Sequence, residues 1–369
     1  MTHPSIRIAY LIDDLGYGGA QRQLSLLAQA LPPPFQPVVI SLSENIIPFG
    51  RTLAARGVEV RALKRRGHYD LLRLSALVRG LSGGRIDLLH GFLDVASAHA
   101  FLAGRLLRIP TVLSLRSDRQ SLPGWRARWL QLMYRRAARV MVNSRAGERY
   151  LLEVLGLPGD KIVTIANWFP AAPAGPGGDI KEPRPGERPP ATIGYVGRFS
   201  KEKRIDLLIR AFARVAAGNP QARLVLFGDG DTRPALAKLV GELQLQDRID
   251  LPGPAKDVLA EMAAMTCLVL PSRYEGLPNV VIEALSVGTP VVAGAVGDVP
   301  ELVINGRTGV LVEDMTLDGL ADGILAVLAD DNLRREVRTA GPRLVESAYS
   351  MSAGLEKITV MYRSILSGK

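Results

Sequence analysis

The chain has 369 residues, 47% of them hydrophobic, which is enough for two domains that each bury a core and argues against disorder. The one cysteine, Cys267 in the apolar run MTCLVL, excludes an intrachain disulfide and a thiolate metal cluster, and we interpret it as a buried structural thiol. We expect a cytoplasmic protein, because we find neither a secretory signal pattern nor an apolar run of about 18 residues.

The net charge of +10 is distributed unevenly along the chain. Residues 1–170 contain 23 Lys/Arg and 11 Asp/Glu, a balance of +12, whereas residues 171–369 contain 23 and 25, a balance of −2. This asymmetry predicts an anionic partner for the first half, either nucleic acid or membrane headgroups.

The first half alternates short β-branched runs with helical patterns. The runs IRIAYLI, QPVVISL, VEVRAL, IDLLHGF, PTVLSL and ARVMVN predict strands, and residues 21–30 and 71–81 suit helices. Repeated strand and helix predict a parallel sheet with helices on both faces, whose ligands bind beyond the carboxyl ends of the strands.

Residues 171–190 are rich in proline and glycine and predict a linker. The alternation then restarts with ATIGYVGRF, ARLVLFGDG, IDLPG, CLVLPS, TPVVAGAV and GVLVE, with helices at 204–217, 234–243 and 277–286 between them. We therefore predict an N-terminal domain at 1–170, a second doubly wound domain at 191–345 and a C-terminal helical segment at 346–369.

The stretch EGLPNVVIEAL has the features of an anion site. Pro278 suits the first helical position, which would leave the N–H groups of Asn279, Val280 and Val281 free to bind a phosphate. Glu275 precedes the helix and Glu283 lies about 12 Å further along it. One carboxylate for each sugar of a sugar nucleotide, with the diphosphate between them, fits this spacing. The alternative is a solvated helix with two surface acids.

Two other segments have weaker signals. In GRFSKEKR, Arg198 and Lys203 follow a strand and could neutralise a departing diphosphate, although ordinary surface charge is an alternative. In DDLGYGGAQRQL, Gly18 and Gly19 stand between strand and helix, where glycine lets the backbone approach a ligand. The pattern is not the dinucleotide fingerprint, since Gln21 stands where a third glycine is expected, and a turn without a ligand remains possible.

In combination, these motifs resemble those of the family 4 retaining glycosyltransferases. The most specific stretches are YVGRFSKEKRIDLLIRAF, LVLFGDG and VLPSRYEGLPNVVIEALSVGTPVVAGAVGDVPELVINGRTGVLVE, with GGAQRQL as their N-terminal counterpart. The resemblance covers nearly the whole chain. It implies the α/β architecture called GT-B, in which two doubly wound Rossmann-like domains face a central cleft and the C-terminal helix packs back on the N-terminal domain.

The resemblance also implies roles for individual residues. Glu275 would lie near the transferred sugar and Glu283 on the nucleotide ribose, while Arg198 and Lys203 would hold the donor diphosphate. The full set expected to bind the donor is Gly18, Gly19, Arg198, Lys203, Gly253, Glu275, Gly276, Leu277, Asn279, Val280 and Glu283. We expect neither a metal ion nor a cofactor.

The chain departs from the family pattern at several positions. Arg116, in SLRSD, replaces a histidine that is often tied to sugar or acceptor contact; His90 is a possible substitute, with a purely structural role as the alternative. Arg204 replaces a common glycine, and Asn167-Trp168 replaces the usual Asn-Gly. The expected catalytic set is therefore Glu275, Arg198, Lys203, His90 and Arg116.

Residues 116–139 hold seven arginines and one aspartate, with Trp125, Trp129 and Tyr134 between them. Arginines mixed with interfacial aromatics suit a helix lying on an anionic membrane. We therefore expect a protein that is cytoplasmic or peripheral on the cytoplasmic face of the membrane. A solvated helix with buried tryptophans is the alternative.

From these observations we expect transfer of a sugar from a nucleotide-diphosphate sugar, in particular a UDP-sugar, to a hydroxyl of a saccharide or lipid-linked saccharide. The product would belong to a cell-surface polysaccharide or glycolipid, with retention at the anomeric carbon. No convincing nucleophile is present, so we expect the departing diphosphate to help deprotonate the acceptor; double displacement at Glu275 stays open. The alternatives are a non-hydrolysing UDP-sugar epimerase and a basic nucleic-acid-binding protein.

Overall fold

The computed structural model describes residues 5–64, 71–116, 124–169 and 190–368. The chain divides into two compact units: the first contains the residues up to Trp168 and again from Ser352, and the second is Phe169–Met351. Except for Pro190, the linker predicted at 171–190 lies outside the described residues, as do residues 117–123 of the basic segment.

The first unit is built on seven parallel strands. They are β1 Ile6–Ile12, β2 Phe35–Ser41, β3 Glu59–Ala62, β4 Leu88–Phe92, β5 Thr111–Leu115, β6 Arg139–Val142 and β7 Ile162–Thr164. Their order in the sheet is β3-β2-β1-β4-β5-β6-β7. The sequence predicted the first six; β7 was missed because it has only three residues.

Helices connect these strands. They are α1 Gly19–Ala30, α2 Phe49–Ala55, α3 Leu71–Ser82, α4 Asp94–Leu107, α5 Gly124–Arg136 and α6 Arg145–Arg149, followed by a π-helical turn at Tyr150–Val154 and a 3-10 turn at Gly159–Lys161. Strands β4 and β5 are buried along their whole length, as expected for parallel strands covered on both faces.

The second unit has a six-stranded parallel sheet. Its strands are β8 Thr192–Val196, β9 Arg223–Phe227, β10 Ile249–Gly253, β11 Cys267–Leu270, β12 Val291–Gly294 and β13 Gly309–Val312, in the order β10-β9-β8-β11-β12-β13. Its helices are α7 Ile205–Gly218, α8 Arg233–Glu242, α9 Val258–Ala263, α10 Asn279–Ser286, α11 Val299–Leu302, α12 Leu317–Ala329 and α13 Asp331–Tyr349, with a 3-10 turn at Lys201–Lys203. The predicted parallel α/β class is confirmed.

Helix α10 is held by a close backbone contact with α13. A Cβ atom on Gly341 would lie 2.5 Å from the Leu285 carbonyl oxygen, and one on Gly288 would lie 2.8 Å from the Arg338 Cα. Gly288 also has a left-handed φ of 76°, the conformation that commonly ends a helix. Glycine at both positions lets α13 lie directly against α10 and fix it.

The last helix is α14 Met351–Ser367, and from Ser352 onward it belongs to the first unit. Tyr362 is fully buried and its hydroxyl donates to the Tyr10 hydroxyl at 3.1 Å. At Gly354 the helix approaches Trp168 so closely that a Cβ atom would lie 2.4 Å from the indole ring. The packing of the C-terminal helix on the N-terminal domain is thereby confirmed. In the described ranges, we find no helix with the length and apolarity needed to cross a bilayer.

Candidate functional site

Three of the predicted donor residues of the second unit, Arg198, Lys203 and Glu275, follow the strands at which the sheet order reverses. Strands β8 and β11 are neighbours although two strands and their helices separate them in sequence. Arg198 and Lys203 follow β8, and Glu275 follows β11. The carboxyl ends of strands at such a reversal form the crevice in which open α/β sheets bind ligands.

Lys203 and Glu275 form an ion pair. The Lys203 Nζ atom lies 2.6 Å from Glu275 Oε1, and the two side chains are 21% and 12% exposed. The pair joins the loop after β8 to the loop after β11. Lys203, which the resemblance assigned to the diphosphate, is therefore in direct contact with Glu275, which it assigned to the sugar.

The backbone conformation at Arg204, the residue after Lys203, is one that favours the glycine expected from the family pattern. Arg204 has φ 49° and ψ 41°, the left-handed conformation, and caps the N-terminus of α7. Glycine adopts this conformation without steric cost, whereas other residues pay for it. The Arg204 guanidinium compensates in part by donating to the Met315 carbonyl oxygen at 3.0 Å.

Arg198 is 73% exposed and lies 3.2 Å from Glu202 Oε1. The same oxygen accepts from the Ser200 hydroxyl at 2.6 Å, and this hydrogen bond is the main reason why the pKa of Glu202 is lowered. The buried Tyr195 hydroxyl donates to the Arg198 carbonyl oxygen at 3.0 Å, and burial raises the pKa of Tyr195, so this donor keeps its proton. The Arg198 backbone is thus fixed while its side chain remains accessible.

The start of α10 differs from the sequence prediction. The helix begins at Asn279, with Pro278 in an extended conformation as its N-cap rather than as its first residue. The Val281 N–H donates to the Pro278 carbonyl oxygen at 3.2 Å, so the expectation that this N–H is free was wrong. The reason is that the first turn closes on Pro278 itself.

Both glutamates of EGLPNVVIEAL are shielded from solvent. Glu283 is 5% exposed within α10, and Glu275 is engaged with Lys203. The alternative of a solvated helix with two surface acids was therefore wrong. Leu277, between them, is buried as well.

Two residues that the sequence analysis did not select support Glu275. A Cβ atom on Gly297, which has a left-handed φ of 55°, would lie 2.0 Å from the Glu275 carbonyl oxygen. The Asp298 N–H donates to the Gly276 carbonyl oxygen at 2.9 Å. The loop GAVGD after β12 therefore fixes the backbone that carries Glu275, and its glycines were the available signal.

Ser272 was also missed by the sequence analysis. It lies between β11 and Glu275, it is buried, and its hydroxyl has no hydrogen-bond partner among the described residues. Gly253, which was predicted to bind the donor, ends β10 with φ 93° and accepts a hydrogen bond from the Gly228 N–H at 3.0 Å. Gly253 is therefore tied to the glycine loop after β9.

In the first unit, Gly18 and Gly19 lie at the start of α1 and are exposed. A Cβ atom on Gly18 would lie 2.2 Å from Gln21 Oε1. Asp14 Oδ1 accepts from the Gly16 N–H at 2.8 Å and from the Gln21 carboxamide at 3.3 Å. The loop that presents the two glycines is thus held by an aspartate that the sequence analysis overlooked.

His90 lies inside the first unit, fully buried in β4. Its Nδ1 is 2.6 Å from the Tyr362 hydroxyl and its Nε2 is 2.7 Å from the Ser114 hydroxyl. Burial, reinforced by the nearby positive charge of Arg116, holds the pKa of His90 well below its usual range. Both ring nitrogens are in hydrogen bonds within the unit and neither is exposed. The geometry therefore favours a purely structural role for His90 over contact with an acceptor.

Arg116 follows β5 and is half-buried. Its Nη1 donates to Asn167 Oδ1 at 2.9 Å, and its guanidinium carbon lies 4.5 Å from the centre of the Phe92 ring. The Asn167-Trp168 departure is packed within this unit: Trp168 is buried, and its backbone N–H and carbonyl oxygen both bind the Gln23 carboxamide. The catalytic candidates thus fall into one group in each unit.

The described residues contain no group of three or more His, Cys, Asp and Glu side chains that could hold a metal ion. Independence of metal ions and cofactors stays a prediction from the sequence.

Two sequence families match the chain. Residues 17–172 match the family described as Glycosyltransferase Family 4, and residues 179–344 match Glycosyl transferases group 1. Together the two matches cover most of both units.

The chain is also similar in sequence to individual named enzymes. Alpha-D-kanosaminyltransferase of Streptomyces kanamyceticus is 28% identical over 316 residues, which are 80% of this chain and 81% of that protein. N-acetyl-alpha-D-glucosaminyl L-malate synthase of Bacillus anthracis is 34% identical over 172 residues, 46% of this chain and 44% of that protein. The second match therefore spans less than half of either chain.

Solved structures support the same fold. The Anabaena protein HepE, crystallised with UDP and glucose, matches with a TM-score of 0.84 and 21% identity over 97% of this chain and all of that chain. Sucrose-phosphate synthase of Thermosynechococcus elongatus matches with a TM-score of 0.79 and 22% identity over 99% of this chain and all of its own. These structures show the GT-B fold, and the two family matches, which together span residues 17–172 and 179–344, show that the chain belongs to the family 4 glycosyltransferases.

Proposed function

We propose that the chain transfers a sugar from a UDP-sugar to a hydroxyl group of a saccharide or lipid-linked saccharide, with retention at the anomeric carbon. The observation that carries this proposal is the Lys203–Glu275 ion pair at the reversal of the second sheet. It puts a cation suited to a diphosphate beside an acid suited to sugar hydroxyls. HepE, similar in fold, was crystallised with UDP, UDP-glucose and glucose, which favours uridine as the base.

In the proposed reaction the acceptor oxygen forms the new bond to the anomeric carbon while the bond from that carbon to the diphosphate breaks. The electron pair leaves with UDP, and the acceptor proton passes to the departing phosphate oxygen on the same face. Arg198 and Lys203 stabilise the developing negative charge. Glu275 Oε1 accepts a hydrogen bond from Lys203. Because this oxygen is engaged, the route through the departing phosphate is favoured over attack by Glu275 on the sugar.

Calorimetric titration tests the donor assignment. We expect UDP-glucose to bind the unmodified protein more tightly than ADP-glucose or GDP-mannose, and Lys203→Met to weaken UDP binding by about 10- to 100-fold, as for a lost charge-assisted hydrogen bond. Lys238→Met is the matched control, because Lys238 is 80% exposed on α8. Equal UDP affinity in both variants would remove the basis of the proposal.

Acceptor dependence separates transfer from the epimerase alternative. A glycosyltransferase releases UDP at a rate that rises with acceptor concentration, whereas an epimerase converts the UDP-sugar alone. Membership of a glycosyltransferase family favours the first outcome and gives no support to a nucleic-acid-binding function.

We also propose that helix α5 docks on an anionic membrane surface, which would bring a lipid-linked acceptor to the first unit. Trp125 is 62% exposed and Trp129 39% exposed, so the alternative of buried tryptophans was wrong. The buried positions of α5 are instead Leu130, Met133 and Tyr134. The Trp129 ring is in edge-to-face contact with Phe101 of α4, and Leu106 of the same helix adds a further exposed apolar side chain.

The same two helices carry exposed basic side chains. Arg126, Arg128 and Arg136 of α5 are exposed, as are Arg105 and Arg108 at the end of α4. Each basic residue near an anionic leaflet contributes about 1 kcal/mol, and exposed tryptophans suit the headgroup level. The surface thus combines the two features that recognise an anionic bilayer.

Vesicle sedimentation tests this docking. We expect binding to vesicles containing phosphatidylglycerol at low salt, weaker binding at high salt, and little binding to phosphatidylcholine alone. The Arg126→Gln, Arg128→Gln double variant should bind about 10- to 30-fold more weakly, at about 1 kcal/mol for each charge. The Arg51→Gln, Arg56→Gln variant, in α2 and at its C-cap, carries the same charge change and is the control. No binding at low salt, or equal binding of both variants, would contradict the proposal.

A further inference from the structure

Arg116 has no acidic partner in the described part of the chain. Its hydrogen bond goes to a neutral carboxamide, that of Asn167, and its guanidinium lies over an apolar ring, that of Phe92. Its Nε atom is buried and has no hydrogen-bond partner among the described residues. The cation thus has an unused donor and no described counter-charge.

Two titratable groups close to Arg116, Tyr362 and His90, are neutral. Burial raises the pKa of Tyr362 and lowers that of His90, so both are uncharged near pH 7. Burial also lowers the pKa of Arg116, to about 10, which still leaves the guanidinium protonated at that pH. Removing a cation from water without a counter-charge is costly, and such groups persist where they bind an anion.

The position of Arg116 is that of a ligand-binding residue. It follows β5, and β5 lies beside β4, which lies beside β1, the strand that leads into the glycine loop. The carboxyl ends of these parallel strands share one edge of the sheet. The planar guanidinium fork pairs with carboxylates and phosphates through two parallel hydrogen bonds, which a histidine cannot do.

We propose that Arg116 binds a negatively charged group, a carboxylate or a phosphate, carried by one of the two substrates of the transfer reaction. This inference rests on the proposed function. The anion has two possible sources: the carboxylate of a uronic-acid donor, or an acidic group on the acceptor. Arg116 is then a specificity-determining residue for a charged substrate.

Calorimetric titration with two pairs of ligands distinguishes the sources. The donor pair is UDP-glucuronate and UDP-glucose; the acceptor pair, titrated at saturating UDP, is glucose 1-phosphate and glucose. We expect one pair to favour its charged member by about 10- to 100-fold, as for charge-assisted hydrogen bonds. Arg116→Gln should abolish this preference and Arg116→Lys should retain part of it.

The control is Arg139→Gln, because Arg139 is half-buried in β6 of the same sheet and donates to a backbone carbonyl. It should leave the preference intact, and unchanged affinity for UDP shows that each variant is folded. A charge preference in neither pair, or one that survives in Arg116→Gln, overturns the inference. If neither UDP nor either UDP-sugar binds the unmodified protein, the proposed function fails instead.

Discussion

Removing one member of the Lys203–Glu275 ion pair should destabilise the second unit much more than the same change in an exposed ion pair. Lys203→Met leaves Glu275, whose side chain is 12% exposed, without its cation. Losing one member of a fully buried pair costs about 3–5 kcal/mol, whereas an exposed pair contributes about 0–1 kcal/mol. The exposures of 21% and 12% lie nearer the buried limit, so we expect a loss of about 2–3 kcal/mol.

The same substitution at an exposed pair is the matched control. Lys238 and Glu242 are 3.6 Å apart on α8, with exposures of 80% and 55%. Lys238→Met should therefore cost less than about 0.5 kcal/mol. Combining Lys203→Met with Glu275→Met should recover part of the loss, because no uncompensated buried charge then remains.

The assay must report on the second unit. All three tryptophans belong to the first unit, so their fluorescence does not. Hydrogen exchange of peptides covering β11 and α10 measures the opening free energy of the second sheet directly. If Lys203→Met and Lys238→Met changed this free energy equally, the shielding of the ion pair would have no energetic consequence and the reasoning would be refuted.

Three further predictions follow from buried groups. Because the lowered pKa of His90 means that the unfolded state binds more protons, stability should fall as the pH drops below about 6.5, and His90→Gln should flatten that slope in urea unfolding followed by tryptophan fluorescence. Gly354→Ala should lower the melting temperature of the first unit, because the added methyl group meets the Trp168 ring at a cost of about 1–3 kcal/mol. Gly124→Ala, in α5 of the same unit, meets no atom within 4 Å and should leave the melting temperature unchanged; equal melting temperatures of the two variants would exclude the clash. Burial raises the pKa of the Cys267 thiol to about 12, so a thiol reagent should label it only after unfolding, and rapid labelling of the native protein would contradict this burial.

The repeated alternation of apolar strand runs and amphipathic helices was enough to predict both sheets. Helix α7, for example, buries Ile205, Leu208, Phe212 and Val215, which recur at helical spacing. Strand β7 was missed because three residues give no periodicity. The start of α10 was placed two residues early because Pro278 suits both the cap and the first turn, and only the backbone angles distinguish the two.

The sequence was enough to predict which residues form the candidate site, but not which of them contact each other. The sequence indicated Lys203 and Glu275 separately, and it assigned one to phosphate and the other to sugar. Their direct contact depends on β8 and β11 being neighbours, which follows from the strand order and not from any local pattern. For the same reason, the support that Gly297 gives to Glu275 could not be read from the spacing.

The return of α14 to the first unit has a consequence for synthesis on the ribosome. Tyr10 and Tyr362 are joined by a hydrogen bond across 352 positions, so this part of the first core cannot form until the entire second unit has been translated. The second unit, in contrast, is continuous in sequence and can fold as it emerges. Until α14 arrives, the nascent first unit lacks the contacts that α14 makes with Tyr10, His90 and Trp168, and chaperones that recognise incompletely packed aromatic surface would bind it during that interval.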